Sequence, residues 1–110
     1  MRIWDIHPNL LCRTHLAAEH RELHGLWNVL TLGKKGYSRH PETRRWEGKL
    51  AALWRRHEKL VAEMARRGWR HRTPLDRALA TGASVQRTYL DTPTRQRELL
   101  RAKPCACFRE

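Results

Sequence analysis

Between Pro41 and Gly68 the apolar residues Trp46, Leu50, Leu53, Trp54, Leu60, Val61 and Met64, with His57 among them, recur every three or four positions. That period lays them along one stripe of an α-helix and does not fit a strand, so the chain must build its core around an amphipathic helix. Pro41 suits a helix start, Arg66 and Arg67 complement the negative end of the helix dipole, and Gly68 is a left-handed stop over which Trp69 can close. One helix from near Pro41 to Arg67 is predicted. A second stripe of Leu16, Leu23, Leu26, Trp27 and Leu30 predicts a helix over 14–32 capped by Thr14. Thr73-Pro74 opens a short helix through Ala80, and Thr92-Pro93 repeats the device through about Ala102, before Pro104. Gly33 to His40 reads as a loop. The expectation is an all-α fold, a single compact domain over 1–110 with about three main helices plus a short helix and long loops.

At 110 residues the chain supports one core and not a second. Lys and Arg number 23 against 11 Asp and Glu, a net charge of +12, so the expected partner is a polyanion, with nucleic acid ahead of an anionic membrane surface. No stretch approaches the roughly 20 apolar residues of a membrane span, and Asp5, His7 and Pro8 interrupt any signal-peptide pattern. A cytosolic, nucleoid-associated monomer is expected. Cys12, Cys105 and Cys107 are odd in number and lack the paired spacing of a zinc site, so they read as free thiols; a metal on the Cys-x-Cys would need help from another chain.

A turn of about 100° per residue places Glu22 and His15 on a flank of the first helix, roughly 80 to 100° from the centre of its apolar face. Ala18 and Gly25 continue that flank with small residues, which suits a pocket wall. A solvated acid beside a neighbouring helix gives the same pattern. Glu19 lies nearer the apolar centre, where a buried acid needs a partner, and is a rival for any carboxylate role. The terminal amine adds separate chemistry: it titrates near about 7.7 to 8.0 against about 10.4 for lysine, so far more of it is the unprotonated nucleophile at neutral pH. Arg2 and Arg21 nearby would depress it further, and Ile3, Trp4 and Ile6 can anchor it against fraying. A neutral Met1 amine beside a carboxylate can form a Schiff base with an aldehyde-like carbon. Lys34 and Lys35, with Arg39, Arg44 and Arg45, make a second basic patch for phosphate or a solvated charged loop. Trp46, Trp54 and Trp69 read as core, His24 and His40 show no partner, and Ser38 and Ser84 sit in no nucleophile motif.

Arg2-Ile3, His15-Leu16, Ala18-Glu19 and Arg21-Glu22-Leu23, followed by Lys49-Leu50, Leu53, Arg56, Leu60, Ala62-Glu63 and Arg67-Gly68-Trp69, resemble the pyrimidine-dimer DNA glycosylase family typified by phage endonuclease V. The resemblance spans roughly the first seventy residues, with a weaker continuation at Arg95 and Lys103-Pro104. It implies a small helical enzyme that needs no metal or organic cofactor and whose terminal amine attacks the sugar of a damaged nucleotide in double-stranded DNA. Glycosidic cleavage is followed by β-elimination of the strand, with cyclobutane pyrimidine dimers as the implied lesion and extrusion of a base as part of access. It implies Met1 and Glu22 as catalytic residues, and Arg2, His15, Arg21 and Arg95 as residues that touch DNA or shape the lesion site. Met1 stands where the phage enzyme has a processed threonine, and Gly25 and Leu99 replace basic residues. A glycosylase or lyase for other base lesions, or a basic DNA-binding module without catalysis, are the alternative readings.

Overall fold

The structure, a computed structural model, describes residues 2–33, 39–70, 73–105 and 107. The readings made at Met1, Lys34 and Lys35 lie outside the described residues. Helices α1 (Arg13–Leu32), α2 (Pro41–Arg45), α3 (Leu50–Arg66) and α4 (Pro93–Ala102) are joined by irregular chain carrying 3-10 turns at Pro8–Leu10 and Arg77–Leu79. The fold is all-α, with no strand among the described residues. Leu16, Leu23, Leu26 and Trp27 of α1 face Leu53, Leu60 and Met64 of α3. Ile3, Trp4, Ile6 and Leu11 from the extended N-terminal segment and Leu100 from α4 complete the core. Each such fully buried aliphatic side chain is worth about 1.5–3 kcal/mol over leaving it in water.

The predicted helix over 41–67 is two helices. The chain leaves α2 at Trp46, turns through Gly48 at φ +71°, and restarts at Leu50. The restart is capped from a distance: the Ala51 N–H donates to Thr81 O at 2.8 Å, the Ala52 N–H to Ala83 O at 3.0 Å, and the Ala83 N–H to Gly48 O at 2.9 Å. Amides that a helix start leaves without partners are thereby satisfied by loop carbonyls instead of a capping side chain. Gly82, at φ +80°, lies so close that a Cβ there would stand 2.1 Å from Gly48 O.

The end of α3 follows the sequence signal, with Gly68 left-handed at φ +81° and the Trp69 N–H donating back to Met64 O at 2.9 Å. So does α4, whose Thr92 hydroxyl accepts the Arg95 N–H. α1 begins at Arg13 because Cys12 O already accepts the Leu16 N–H at 2.9 Å, which makes Cys12 and not Thr14 the capping position. The helix predicted over 74–80 shrinks to the single turn Arg77–Leu79. Every residue of that turn is exposed, and so short a segment has no packed face to sustain a helix.

Candidate functional site

Residues 2–12 cross the bundle as extended chain interrupted by the 3-10 turn at Pro8–Leu10, and three arginines hold them there. Arg45 of α2 donates through Nη2 to Ile3 O at 2.8 Å, Arg56 of α3 through Nη1 to Ile6 O at 2.6 Å, and Arg67 through Nη2 to Leu11 O at 2.6 Å. Each guanidinium is also paired with acid, Arg67 sharing Glu63 with Arg66. Arg45 pairs with Glu42 at 2.7 Å and Asp5 at 3.0 Å, Arg56 grips both oxygens of Glu19 at 2.6 and 2.9 Å, and Arg67 pairs with Glu63 at 2.7 Å. From α4, Gln96 accepts the Asp5 N–H at 2.7 Å and donates to the Asp5 carboxylate at 2.8 Å. Arg45 and Glu42 are 3% and 0% exposed, which removes Arg45 from the basic patch read in the sequence: its charge is spent inside the fold. Glu19 is fully buried, and burial pushes its carboxyl above the usual range even with Arg56 beside it. It is a structural acid.

Glu22 stands one turn further along α1, half-buried, and among the described residues it forms no hydrogen bond or ion pair. Arg21 next to it is exposed. Arg2 pairs with Asp91 at 2.9 Å and its guanidinium lies 5.1 Å from the centre of the Trp4 ring. Arg95 occupies the first turn of α4, mostly exposed and paired with Glu98 at 3.0 Å. Asp91 and Gln96 thus bring Arg2 and the start of α4 to one edge. Beside Trp4 a cleft of about 250 Å³ opens, walled by Trp4, Trp46 and Tyr89, with Arg55, Arg56 and Lys59 at its side. Glu22 does not line it. No sequence motif marked this cleft, because Ser84–Tyr89 reach it from irregular chain.

His15 is drawn elsewhere than the sequence suggests. Its ring meets Trp4 edge-on at 6.0 Å, and its Nδ1 lies 3.1 Å from Cys12 Sγ and 3.3 Å from Cys107 Sγ. The Cys12 N–H donates to Cys107 Sγ at 3.0 Å. Burial alone raises the Cys12 thiol, but His15 and Cys107 beside it bring it down to about 6, whereas burial and the neighbouring sulfurs push Cys107 up to about 12. His24, without a partner in the sequence reading, meets the Nε2 atoms of His20 and His57 at 3.2 and 3.1 Å. His40 caps α2 by accepting the Glu42 N–H.

A small, strongly basic helical protein with an arginine-clamped N-terminal segment beside a cation-rimmed aromatic cleft belongs to the class that acts on a polyanion. Residues 1–77 match the family model for pyrimidine dimer DNA glycosylase, and the chain belongs to that family. Membership implies DNA glycosylase activity. No curated protein and no solved structure matches the chain. No helix among the described residues is long and apolar enough to cross a membrane.

Proposed function

We propose that the protein is a monomeric, bifunctional N-glycosylase and abasic-site lyase acting on pyrimidine dimers in duplex DNA, with the Met1 amine as nucleophile. The observation that carries this reading is the arginine clamp on Ile3, Ile6 and Leu11, which holds in place the segment that follows Met1 in the sequence. Glu22, half-buried on α1, forms no hydrogen bond or ion pair among the described residues, which leaves its carboxylate available for proton transfer. The amine nitrogen bonds to C1′ of the damaged nucleotide as the bond from C1′ to the base nitrogen breaks; the freed base nitrogen takes up a proton, and the base stays joined to its neighbouring pyrimidine through the cyclobutane ring. Glu22 moves protons for ring opening to the imine and then takes the C2′ proton, after which the C3′–O bond breaks and the strand is cut. Arg2, Arg21, Arg95, Lys34 and Lys35 grip phosphates, and the cleft beside Trp4 takes an extruded base between its indole and phenol walls. His15 acts on this site through Trp4.

Borohydride trapping on duplexes carrying a cyclobutane dimer, an abasic site or an oxidised purine tests the reading. The expected result is a covalent adduct on dimer and abasic DNA that acetylation of the terminal amine abolishes. Glu22→Gln loses base release while keeping most of the DNA affinity. An undiminished adduct after acetylation moves the nucleophile to a lysine, and no adduct with tight binding leaves a non-catalytic module.

A further inference from the structure

Cys12 and His15, at the start of α1, and Cys105 and Cys107, beyond the end of α4, bring three sulfurs and one imidazole nitrogen within 4.8 Å of one another. We propose that these four residues form a structural zinc site that ties the C-terminal tail to the first helix. Zinc bonds of about 2.3 Å to sulfur and about 2.0 Å to nitrogen in a tetrahedron require its ligand atoms to stand roughly 3.5–3.8 Å apart. The separations of 3.1 and 3.3 Å from His15 Nδ1 to two of the sulfurs open by a few tenths of an ångström, and pairs near the 4.8 Å width of the cluster close by about 1 Å, to seat the ion.

Three cysteines and one histidine around a closed centre are a structural zinc combination, and thiolate softness disfavours calcium, magnesium or manganese. All three cysteines are free, so no disulfide competes for the sulfurs. The hydrogen bond that the Cys12 N–H donates to Cys107 Sγ supplies the outer support that a metal-bound thiolate takes from its surroundings. A single imidazole Nδ1 facing two sulfurs can give its proton to only one of them, while a cation satisfies all four donors together. Binding releases the thiol protons to solvent and involves no electron transfer.

The site also reaches past the family match, which ends at residue 77: half of its ligands come from the part of the chain beyond it. Its position gives it a task. His15 leans edge-on against Trp4, so the ion also braces the N-terminal segment through that ring contact.

The full-length protein, purified from zinc-supplemented cells, is expected to carry about one zinc per chain by elemental analysis. Cobalt(II) added to stripped protein is expected to give intense visible ligand-field bands with sulfur-to-cobalt charge transfer, the mark of a tetrahedral thiolate site. Cys107→Ser and Cys105→Ser should lose the charge-transfer intensity and most of the zinc, and chelation should lower the wild-type melting temperature. Lys103→Ala, beside the cluster but without a ligand atom, should keep both. Folded wild-type protein that takes up less than roughly a tenth of an equivalent of zinc, or that gives a weak octahedral cobalt spectrum, overturns the proposal.

Discussion

Replacing Arg56 by methionine removes the counter-ion of a carboxylate that has no access to water. Glu19 is 0% exposed in its side chain and Arg56 only 10%, so both ends of the pair lie within the low-dielectric interior. Breaking a buried pair from one side costs about 3–5 kcal/mol, because the surviving charge is left uncompensated. Ile6 O also loses its donor, so about 4 kcal/mol is a central figure. With about 2.1 cal/mol/K of unfolding entropy per residue near the midpoint, a chain of 110 residues has about 0.23 kcal/mol/K, and that loss lowers the melting temperature by roughly 17 °C. The loss also depends on pH in a defined direction. Burial already raises the Glu19 pKa, and removing Arg56 raises it further, so the folded variant holds a proton more tightly than the unfolded chain. The penalty is therefore complete above the folded pKa and shrinks as pH falls toward the unfolded value of about 4.3. Urea denaturation at several pH values, on Arg56→Met and on the double variant Glu19→Leu/Arg56→Met, measures both effects. The double variant should regain more than half of the loss. A single-variant loss below about 1 kcal/mol at pH 7.5, the range of exposed pairs, would show that the Arg56–Glu19 pair is not desolvated.

Gly82→Ala should destabilise by roughly 3 kcal/mol or prevent folding, since the new Cβ meets a backbone oxygen at 2.1 Å at a φ of +80°. Gly25→Ala is its contrast: nothing lies within 4 Å of the added Cβ on an interior turn of α1, so denaturation should show a gain of about 0.5–1 kcal/mol. Hydrogen bonding from Arg66, then from Arg67, holds the Glu63 carboxyl below its usual pKa against the opposing effect of burial, so its stabilisation is present above about 4.3 and lost as pH falls through the lower folded value. The stability difference between wild type and Glu63→Gln should be flat above pH ~5 and shrink steadily below pH ~4.

Periodicity carried the helices because α1 and α3 each bury one stripe, and the Gly68-Trp69 and Thr92-Pro93 signals act within a few residues of the chain. What it could not carry was contact at long range. The break after Trp46 depends on carbonyls at Thr81 and Ala83, some thirty residues on, and only Gly48 hints at it locally. Arg45 looked like surface because α2 is too short to show an apolar stripe; its partners Ile3 and Asp5 lie about forty residues away. Glu22 was legible as a helix-flank acid, and Glu19 as an acid needing a partner, from their angles on α1 alone. The cluster around His15 was not, since the pair Cys12 and His15 and the pair Cys105 and Cys107 are separated by about ninety residues and each pair alone is short of a metal site.

The arginine clamp changes what the charge of this protein means. Arg45, Arg56 and Arg67 are eleven residues apart, and each answers a carboxylate while donating to a carbonyl of the N-terminal segment, a double task that suits a planar guanidinium with five donors and not a lysine. Together with Asp5, Glu19, Glu42 and Glu63 these three arginines sum to −1, so a net charge of +12 leaves +13 on the rest of the molecule. Folding therefore withdraws more acid than base from the surface. The cations left outside meet phosphate with fewer internal competitors, while the clamp fixes the segment leading to Met1 using groups already neutralised by their own acids. Affinity for a polyanion and placement of the N-terminal segment are thus carried by different sets of arginines. Salt that screens the outer set leaves the buried one in place.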